Sequence, residues 1–543
     1  MSMRVVIIGG VAGGMSAAAR LRRLDAQAEI IVIERSGYVS YANCGLPYYL
    51  GGVIEQESSL LLQTPESLFR RFRIDVRVHT TAKHIDRERK AVLLQTENGS
   101  SEWIAYDKLI LSPGAVPIVP PLPGIERART LRNVEDVKSL IEGLAAKPKS
   151  AVVIGGGFIG VEAAENLVHR EISTTIIEAA PHILAPLDVE MVTPVEQHMR
   201  ERGVALMLDN AVSSIGDASI TLRDGRDIAA DLILLAIGVR PDSSLAADAG
   251  LALGPAGSVL TNHAHQTNDA DIYAIGDAVA KRDRVTGDAV LVPLANLANR
   301  HGREVADHIC GRHVSTPESL GTAIVKVFDL TVAATGWNER RATAAGLDFH
   351  IVHSHPASHA GYYPGATPMS LKLLFAPNGE ILGAQGVGSD GVDKRIDVIA
   401  TAIRGGIPAP ELRELELAYA PPYSSAKDPV NMLGYVADNI LSGNADPIQW
   451  HQVEAARSAG ATLIDVRTTA EYEQGHIPGA LNIPVDELRE RTSEIPTDSD
   501  LIVTCAVGIR GHVAASLLAS RSQRVQNLDG GFSTWKAAAQ PIE

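Results

Sequence analysis

Two glycine-rich turns, each placed directly after an apolar strand, constrain the fold of this 543-residue chain more than any other feature. In the second turn, the strand Ala-Val-Val-Ile ends at residue 154, and Gly155, Gly157 and Gly160 follow at G-x-G-x-x-G spacing before a helix. Such glycines let the backbone approach a pyrophosphate at the helix N-terminus, where free N–H groups favour an anion. The segment therefore predicts a dinucleotide-binding βαβ unit.

The acidic residue after the next strand indicates which dinucleotide is bound. Residues 174–177 form an apolar strand that ends at Glu178. A carboxylate at this position accepts a hydrogen bond from a ribose 2′-hydroxyl and repels a 2′-phosphate, so we expect NADH in preference to NADPH. The residues predicted to contact it are Gly155, Gly157, Phe158, Ile159, Gly160, Glu178 and Gly238.

The first glycine turn, at residues 9–14, is less regular because Val11 stands where the second glycine is usual. The carboxylate of Glu34, which ends the strand at residues 29–33, supports the assignment since it can bind a ribose. Farther along, Asp277 follows a short strand and is either a surface turn residue or a ligand of a second dinucleotide. With two glycine turns in one chain, the binding role is favoured.

A single cysteine lies shortly after the first turn. Residues 40–48 read Ser-Tyr-Ala-Asn-Cys-Gly-Leu-Pro-Tyr, with the thiol at Cys44. A thiol next to a bound flavin can pass electrons between the flavin and sulfur. Flavoprotein disulfide reductases carry a second cysteine five residues later, where this chain has Tyr49, so the second sulfur must come from the substrate. The alternative, a buried structural cysteine, is disfavoured by the flanking motifs.

Composition and charge exclude several classes of protein. The length suggests about three or four domains. A formal net charge of −15 argues against a general nucleic-acid binder. The three cysteines, Cys44, Cys310 and Cys505, are too scattered for a disulfide framework and indicate a reducing compartment. No apolar run approaches membrane-spanning length. We therefore expect a cytoplasmic protein without nucleic-acid or membrane partners.

From about residue 1 to 440 the sequence resembles the pyridine nucleotide-disulfide oxidoreductase family. The resemblance is to its single-cysteine group of coenzyme A-disulfide reductases and NADH-dependent persulfide reductases. It rests on both glycine turns, apart from Val11, on the Asn-Cys-Gly-Leu-Pro-Tyr core and on Gly276-Asp277. It implies FAD at the first turn, NADH at the second and a homodimer. The FAD contacts that it implies are Gly9, Gly10, Ala12, Gly14, Glu34, Arg35, Asn43, Ser112, Gly114, Gly276, Asp277 and Ala295.

The last part of the chain carries a second thiol in a different setting. The apolar strand at residues 501–504 delivers Cys505 into a short loop that closes on Arg510. Amides that point into such a loop lower a thiol pKa and stabilise a persulfide anion. Together with Leu-Ile-Asp-Val-Arg at 463–467 and Leu-Asp-Gly-Gly-Phe-Ser-Thr-Trp at 528–535, this loop resembles a rhodanese domain. The length of the loop favours an active sulfurtransferase over the related phosphatases, and the presence of Cys505 disfavours an inactive binding module. The predicted persulfide cradle consists of Cys505, Gly508 and Arg510.

The predicted fold class is therefore α/β, with two Rossmann-like domains for FAD and NAD, an α+β dimerisation domain and a C-terminal α/β rhodanese domain. The predicted boundaries are 1–116 and 244–320 for the FAD domain, 117–243 for the NAD domain, 321–440 for dimerisation, 441–452 for a linker and 453–543 for rhodanese.

The resemblance also implies a mechanism for the flavin site. NADH reduces FAD, and the flavin reduces a sulfur–sulfur bond between Cys44 and substrate sulfur. The Cys44 thiolate is expected to be favoured by the flavin and by nearby backbone dipoles. Tyr363 and Tyr423 act across the dimer as proton donors, so the catalytic residues are Cys44, Cys505, Tyr363 and Tyr423. The predicted coenzyme A contacts are Ser16, Arg20, Arg23, Ser40, Asn43, Tyr363, Tyr423 and Lys427.

Because Cys505 is present, persulfide or polysulfide is placed before coenzyme A disulfide as substrate. Two alternatives remain open: an NADH peroxidase or oxidase of the same fold, in which the single cysteine cycles through sulfenic acid, and a redox or sulfur-sensing carrier. Relatives of the first kind carry a histidine where this chain has Ala12. Cys310 is expected to be structural. His353, His355 and His359 lack evident carboxylate or thiol support, so no metal is expected.

Overall fold

The computed structural model describes residues 2–519 and 524–543. The chain divides into two compact units, the first formed by Met1–Pro181 and Gly203–Gly321, the second by His182–Arg202 and Thr322–Glu543. None of the described helices is both long and apolar enough to cross a membrane.

The first unit is built on two parallel sheets with antiparallel additions. Its strands are β1 (Arg4–Ile8), β2 (Glu29–Ile33), β3 (Ile74–Arg77), β4 (Thr80–Asp86), β5 (Ala91–Thr96), β6 (Ser101–Ala105), β7 (Lys108–Leu111), β8 (Ala115–Pro117), β9 (Ser150–Ile154), β10 (Ser173–Ile177), β11 (Val204–Met207), β12 (Val212–Ile215), β13 (Ser219–Leu222), β14 (Asp227–Ala229), β15 (Leu232–Leu235), β16 (Val239–Pro241), β17 (Ile272–Ala274), β18 (Lys281–Arg282) and β19 (Ala289–Val290). The helices up to residue 309 are α1 (Ala12–Leu24), α2 (Leu46–Gly51), α3 (Pro65–Phe72), α4 (Val134–Ala145), α5 (Phe158–His169), α6 (Val189–Glu201), α7 (Ser244–Asp248) and α8 (Ala295–Ile309), of which α6 belongs to the second unit.

The first parallel sheet has the order β17-β7-β1-β2-β3. Its central strand β1 is an apolar run, and Val5, Val6 and Ile7 are fully buried because helices and further strands cover both faces. Helix α1 packs against α8 on one face. The antiparallel sheet β4-β5-β6 contributes to the core on the other face. The carboxyl ends of β1 and β2 therefore meet at one edge, which brings Gly9 close to Glu34.

The second parallel sheet of this unit has the order β11-β10-β9-β15. Strand β9 pairs with β10 and β15 in parallel register, and α5 follows β9 through the second glycine turn. The small antiparallel sheet β12-β13-β14 closes its core through Ile220 and Leu222. This sheet repeats the strand–turn–helix arrangement of the first, as the two glycine turns predict.

The second unit contains an antiparallel sheet and a parallel sheet. Its strands are β20 (Ala323–Val327), β21 (Leu330–Gly336), β22 (His350–Ser354), β23 (Met369–Phe375), β24 (Ile381–Gly388), β25 (Pro447–Ile448), β26 (Thr462–Asp465), β27 (Leu481–Asn482), β28 (Leu501–Thr504) and β29 (Val525–Leu528). Besides α6, its helices are α9 (Glu339–Ala344), α10 (Val392–Gly405), α11 (Pro429–Leu441), α12 (Val453–Ser458), α13 (Thr469–Glu473), α14 (Ile509–Leu518) and α15 (Gly531–Ala537).

The antiparallel sheet has the order β20-β21-β24-β23-β22, with the fully buried strand β24 at its centre. The parallel sheet has the order β25-β29-β28-β26-β27 and carries an apolar core on each face, one around Val503 and the other around Trp535. Its edge strand β25 lies within the segment predicted as a linker. Strand β28 is central and buried, and Cys505 follows it directly at its carboxyl end.

Candidate functional sites

The first glycine turn fits the backbone of a dinucleotide site. Gly9 has φ +100°, and a Cβ atom there would lie 2.0 Å from the Ser112 carbonyl oxygen. A Cβ at Gly14 would lie 1.9 Å from the Gly9 carbonyl oxygen, so both positions require glycine. The buried Glu34 carboxylate accepts a hydrogen bond from the Gly10 amide at 2.8 Å. Val11 immediately precedes α1, which begins at Ala12 and so already includes the last glycines of the predicted turn.

Asp277 points to a polar ligand at the same site. It follows β17, and within the described part of the chain its buried Oδ1 atom has no hydrogen-bond partner. Burial raises the pKa of this carboxyl, with partial compensation from Lys281. A buried carboxylate oxygen without a partner, beside a turn that admits only glycine, fits a dinucleotide with a hydroxylated chain such as FAD. Among the other predicted contacts, Arg35 forms an ion pair with Asp242 at 2.9 Å.

The second glycine turn repeats this arrangement. Gly155 has φ +110°, and a Cβ there would lie 2.4 Å from the Ala236 carbonyl oxygen. Nothing lies within 4 Å of a Cβ placed on Gly157, so its backbone faces open space at the start of α5. The Glu178 carboxylate accepts hydrogen bonds from the amides of Gly156 (2.7 Å) and Ala180 (2.8 Å). The residues present therefore fit a second dinucleotide.

Cys44 lies in the short 3-10 turn Asn43–Gly45 and is exposed. Helix α2 follows and packs against α5, where the Tyr48 hydroxyl donates to Glu162 Oε1 at 3.3 Å. Burial raises the pKa of Glu162 to about 7. Partial desolvation raises the pKa of the Cys44 thiol, and the carboxylates of Glu162 and Asp277 raise it further.

The direction of the Cys44 shift differs from the sequence-based expectation. A backbone hydrogen bond does lower the pKa of Cys44, as predicted, but desolvation and the two carboxylates outweigh it. Sequence reasoning missed Glu162, although it lies two residues after the last glycine of the second turn. Its position near Cys44 depends on the packing of α2 against α5, which no local pattern encodes.

The substrate contacts predicted in the first unit have different surroundings. The Arg20 guanidinium forms an ion pair with Asp307 at 2.6 Å, and both side chains are largely buried. Arg23, on the same helix, is exposed. The Ser16 hydroxyl donates to Asn299 at 2.6 Å. Ser40 has φ +47°, and its amide donates to the Gly10 carbonyl at 2.8 Å, which ties the Cys44 segment to the first glycine turn.

The second unit exposes a group of tyrosines. Tyr363 and Tyr423, both predicted from the sequence, are 42% and 73% exposed. Tyr362 and Tyr419 were not among the predicted catalytic or substrate-binding residues, and their hydroxyls lie 2.8 Å apart at the surface. Four phenol groups in irregular segments are therefore available to a ligand or a second chain. Lys427, also predicted, is exposed and lies 5.8 Å from the centre of the Tyr435 ring.

The loop after β28 forms a compact thiol site. Cys505 is buried, and the Gly508 amide donates to its sulfur at 3.1 Å. Gly508 has φ +95° and immediately precedes α14. The Phe532 amide donates to the Cys505 carbonyl at 2.7 Å, so the turn at the start of α15 supports this loop from below. The predicted contact of an inward amide with the Cys505 sulfur is present.

Arg510 has a partner that the sequence analysis did not assign. Its two terminal nitrogens lie 2.8 and 2.7 Å from the two Glu471 oxygens. The Arg510 hydrogen bond lowers the pKa of Glu471 to about 2. This bidentate pair fixes the guanidinium beside the Cys505 loop. Glu471 lies in α13 and Arg510 lies in α14, so their pairing depends on how two helices of the folded domain are placed.

The three histidines considered for metal binding have separate protein partners. His353 lies between Asp529 (2.7 Å) and Glu190 (2.9 Å), so the expectation that it lacks carboxylate support is wrong. His355 contacts the Ser370 and Thr534 hydroxyls, and His359 contacts the Ala360 carbonyl. Cys310 is partly buried at the end of α8, where burial raises its pKa.

Two other clusters in the described residues contain side chains of metal-binding type. Asp188, Glu190 and Glu339 converge, but the Lys372 ammonium group occupies the space between them. The other cluster contains His265, His301 and Glu304. Thr316 donates to Glu304, which also faces Arg300 and His265. The absence of a metal stays a prediction.

Comparison with known proteins identifies three domains. The profile described as pyridine nucleotide-disulphide oxidoreductase matches residues 3–302, that family's dimerisation domain matches 322–429, and a rhodanese-like domain matches 449–538. A coenzyme A disulfide reductase of Staphylococcus epidermidis is 34% identical over 445 residues, which cover 80% of this chain and 99% of that protein.

Two solved structures are similar over nearly the whole chain. The reduced CoADR-RHD of Bacillus anthracis is 49% identical with a TM-score of 0.97, covering 99% of this chain and 98% of that one. A NAD-dependent persulfide reductase from A. fulgidus is 38% identical with a TM-score of 0.92, covering 98% and 100%. The predicted α/β fold class, with its dimerisation and rhodanese domains, is confirmed. This chain is an oxidoreductase that belongs to the pyridine nucleotide-disulphide oxidoreductase family and carries a C-terminal rhodanese-like domain.

Proposed function

We propose that this protein uses FAD and NADH to reduce sulfur–sulfur bonds. Persulfide or polysulfide is the preferred substrate, and coenzyme A disulfide is the alternative one. The observation that carries the proposal is the presence of two unlike thiol sites, Cys44 in the unit with both glycine turns and Cys505 in an amide-lined loop. The names of the coenzyme A disulfide reductase and the persulfide reductase to which the chain is similar support this substrate class.

Cys44 acts as the single protein thiol of the reduction. With coenzyme A disulfide, its thiolate attacks one sulfur, a Cys44–S–S–CoA bond forms, and one coenzyme A thiolate leaves. Two electrons then cleave this bond to the Cys44 thiolate and a second coenzyme A thiolate. With a persulfide R–S–SH, Cys44 takes the outer sulfur, RS⁻ leaves, and two electrons release hydrosulfide. The first glycine turn, Glu34 and Asp277 would hold FAD, which would supply these electrons from NADH.

Glu162 is the group that holds a proton beside Cys44. With a pKa of about 7, its carboxyl is partly protonated at neutral pH, and Tyr48 donates a hydrogen bond to it. When Cys44 becomes a thiolate, a proton on Glu162 removes the like-charge repulsion between them. The proton on Glu162 therefore lets Cys44 become a thiolate without placing two negative charges side by side.

The exposed tyrosines are proposed to act on the substrate that is bound to the partner subunit. In the proposed homodimer, Tyr363 and Tyr423 donate protons to the departing thiolate at the partner's flavin site. Their exposure and the match to a dimerisation domain support this arrangement. Arg23 and Lys427 are exposed cations suited to coenzyme A phosphates, whereas Arg20 must first leave Asp307. The proposed compartment is the cytoplasm.

Cys505 supplies sulfur to this reaction. Its thiolate attacks the outer sulfur of a sulfane donor, the rest of the donor leaves as a thiolate or sulfite, and the Gly508 amide stabilises the persulfide that forms. Transfer of that sulfur to the coenzyme A thiol gives coenzyme A persulfide, the substrate for Cys44. The C-terminal domain therefore feeds the flavin site through a soluble carrier.

Anaerobic NADH consumption and sulfide release, measured with coenzyme A persulfide and coenzyme A disulfide side by side, test the proposal. Cys44→Ser should abolish both reactions and retain bound FAD. Cys505→Ser should abolish sulfur transfer from a sulfane donor and leave disulfide reduction intact, and Cys310→Ser is the matched control. NADH consumption that depends on oxygen, or that persists in Cys44→Ser, would contradict the proposal.

A further inference from the structure

A buried contact connects the edge of the antiparallel sheet to the turn below Cys505. Strand β22 is one of the two edge strands of this sheet, and His353 lies within it. The His353 amide donates to both Asp529 oxygens at 3.1 and 3.0 Å, and its Nδ1 lies 2.7 Å from Asp529 Oδ2. Both side chains are almost fully buried. An edge strand that would otherwise expose its backbone is thereby covered.

The other ring nitrogen of His353 enters a second set of buried charges. Its Nε2 lies 2.9 Å from Glu190 on α6. Lys372, fully buried, lies 2.5 Å from the same Glu190 oxygen and also contacts Asp188 (2.9 Å) and Glu339 (2.7 Å). Four carboxylates therefore face two cationic side chains. Buried charges of this kind cost much free energy unless every partner stays in place, so the contact favours one arrangement strongly.

Asp529 is joined by only two glycines to the residues that support Cys505. Gly530 and Gly531 both have left-handed φ values, and a Cβ at Gly531 would lie 2.4 Å from the Cys505 carbonyl oxygen. The next amide, that of Phe532, donates to this carbonyl. A shift of Asp529 would therefore move the turn that supports the thiol loop. His355, two residues after His353, binds Thr534 beyond the turn at 2.8 Å.

We propose that His353 is a positioning residue for the sulfurtransferase site: by binding Asp529 it fixes the turn that supports the Cys505 loop. This role rests on the proposed function of Cys505. It assigns part of the sulfurtransferase site to a strand outside the rhodanese-like domain, which spans residues 449–538.

The charge of His353 supports the role. Burial alone lowers the pKa of this imidazole, but Asp529 and Glu190 together raise it to about 9. The charged and titratable groups that face it are Asp529 from the turn, Glu190 from α6, Lys372 from β23 and His355 from the segment that follows β22. Because the folded-state pKa lies above the ordinary value of 6.5, the stabilisation is complete below that pH and is lost as the pH rises through about 9.

Two substitutions separate the two contacts of the imidazole. The amide nitrogen of Asn occupies the place of Nδ1, so His353→Asn keeps a donor to Asp529 and loses Glu190. The amide nitrogen of Gln reaches the place of Nε2, so His353→Gln keeps a donor to Glu190 and loses the side-chain bond to Asp529. Both variants remove the same positive charge, so a difference between them reports geometry.

The readout is transfer of the outer sulfur of thiosulfate to cyanide by the full-length holoenzyme. In this reaction Cys505 takes the sulfur, sulfite leaves, and cyanide then removes the sulfur as thiocyanate. We expect His353→Gln to lower kcat about 10- to 100-fold, the size of effect produced by a small misplacement of reacting groups. His353→Asn should retain most of the activity. NADH-dependent reduction of coenzyme A disulfide should be unchanged in both.

Hydrogen exchange provides a second measurement. The amides of Phe532 and Ser533 should exchange faster in His353→Gln than in His353→Asn. If His353→Gln does not fold, wild-type protein carries the test, because these amides should lose protection, relative to β28, as the pH rises through about 9.

Equal transfer rates in the two variants and wild type, or unchanged protection of the turn across pH 9, would overturn the inference. A wild-type protein without any sulfur transfer would instead overturn the proposed function of Cys505. The two failures are therefore distinguishable in the same experiment.

Discussion

Glu162 is expected to control how readily Cys44 ionises, and its substitution by Gln tests the electrostatics of the flavin site. The carboxylate raises the pKa of Cys44 when it is ionised and has no such effect when it is protonated. Since Glu162 titrates at about pH 7, the repulsion is weak at pH 6 and nearly complete at pH 8. A nearby like charge shifts a pKa by about one unit or more. Glu162→Gln should therefore increase the thiolate fraction of Cys44 about tenfold above pH 8, and hardly at all below pH 6.

The thiolate fraction is measured by the rate at which iodoacetamide alkylates Cys44 in the anaerobic, NADH-reduced enzyme. Mass spectrometry of the Cys44 peptide gives this rate at each pH, and the Cys310 and Cys505 peptides of the same sample are internal standards. Tyr48→Phe sharpens the test. The Tyr48 hydrogen bond lowers the pKa of Glu162, so its loss should move the onset of the repulsion to higher pH.

Glu165→Gln is the control on the same helix, because Glu165 is not among the groups that raise the pKa of Cys44 directly. Its effect is on Glu162, whose pKa it raises and which is already largely ionised at pH 8. It should leave the alkylation rate at pH 8 close to that of wild type. A Glu162→Gln variant that reacts faster than wild type by the same factor at every pH, or that reacts more slowly, would refute the assignment of this repulsion to Glu162.

Three further predictions concern the other parts of the site. Gly14→Ala should lose bound FAD, because the added Cβ would lie 1.9 Å from the Gly9 carbonyl oxygen. Gly216→Ala should keep FAD, because the nearest atom to its Cβ lies 3.6 Å away. The flavin-to-protein absorbance ratio measures the FAD content of both variants. Glu471→Gln should lower the rate of sulfur transfer from thiosulfate to cyanide several-fold by releasing Arg510. The melting temperature should change little, since the ion pair is partly exposed. Glu473→Gln, at an exposed position, is the control, and equal transfer rates in the two variants would contradict the role of Glu471. The Trp535 side chain is 1% exposed, so Trp535→Ala should lower the free energy of unfolding of the second unit by about 3–5 kcal/mol. The Trp103 side chain is 45% exposed, so Trp103→Ala should lower that of the first unit by under about 1 kcal/mol. Denaturation followed by circular dichroism measures both.

The parts of the site that could be predicted from the sequence are those encoded within a few residues. Gly155 and Gly160 are required by a turn that is specified locally, and Glu178 follows the next strand because parallel strands end at the same edge. Gly508 donates to Cys505 only three residues away. In each case the backbone geometry of one strand and one turn determines the contact, so the spacing of residue types is sufficient to predict that contact.

The contacts that could not be predicted join residues far apart in the chain. His353 meets Asp529 across 176 residues, and Arg510 meets Glu471 across 39. Tyr48 meets Glu162 across 114. Each partner is polar and ordinary in its local sequence, and its role follows from how helices and sheets pack. For this reason the sequence did not predict the carboxylate partners of His353. It also did not predict that Glu471 holds Arg510, which was expected in the persulfide cradle.

The electrostatics of Cys44 also bear on the redox balance of the proposed reaction. Carboxylates that oppose a free thiolate do not oppose the neutral state in which the Cys44 sulfur is bonded to a second sulfur. They therefore favour the oxidised, sulfur-bonded form and make the couple harder to reduce, since a disulfide is a strong oxidant when its reduced form is stabilised. A protonated Glu162 weakens this bias, because the thiolate then has one fewer negative neighbour, although Asp277 still opposes it. In the proposed reaction we therefore expect Glu162 to take up a proton in the step in which two electrons release the substrate sulfur, which would give this partly buried carboxyl a function beyond packing.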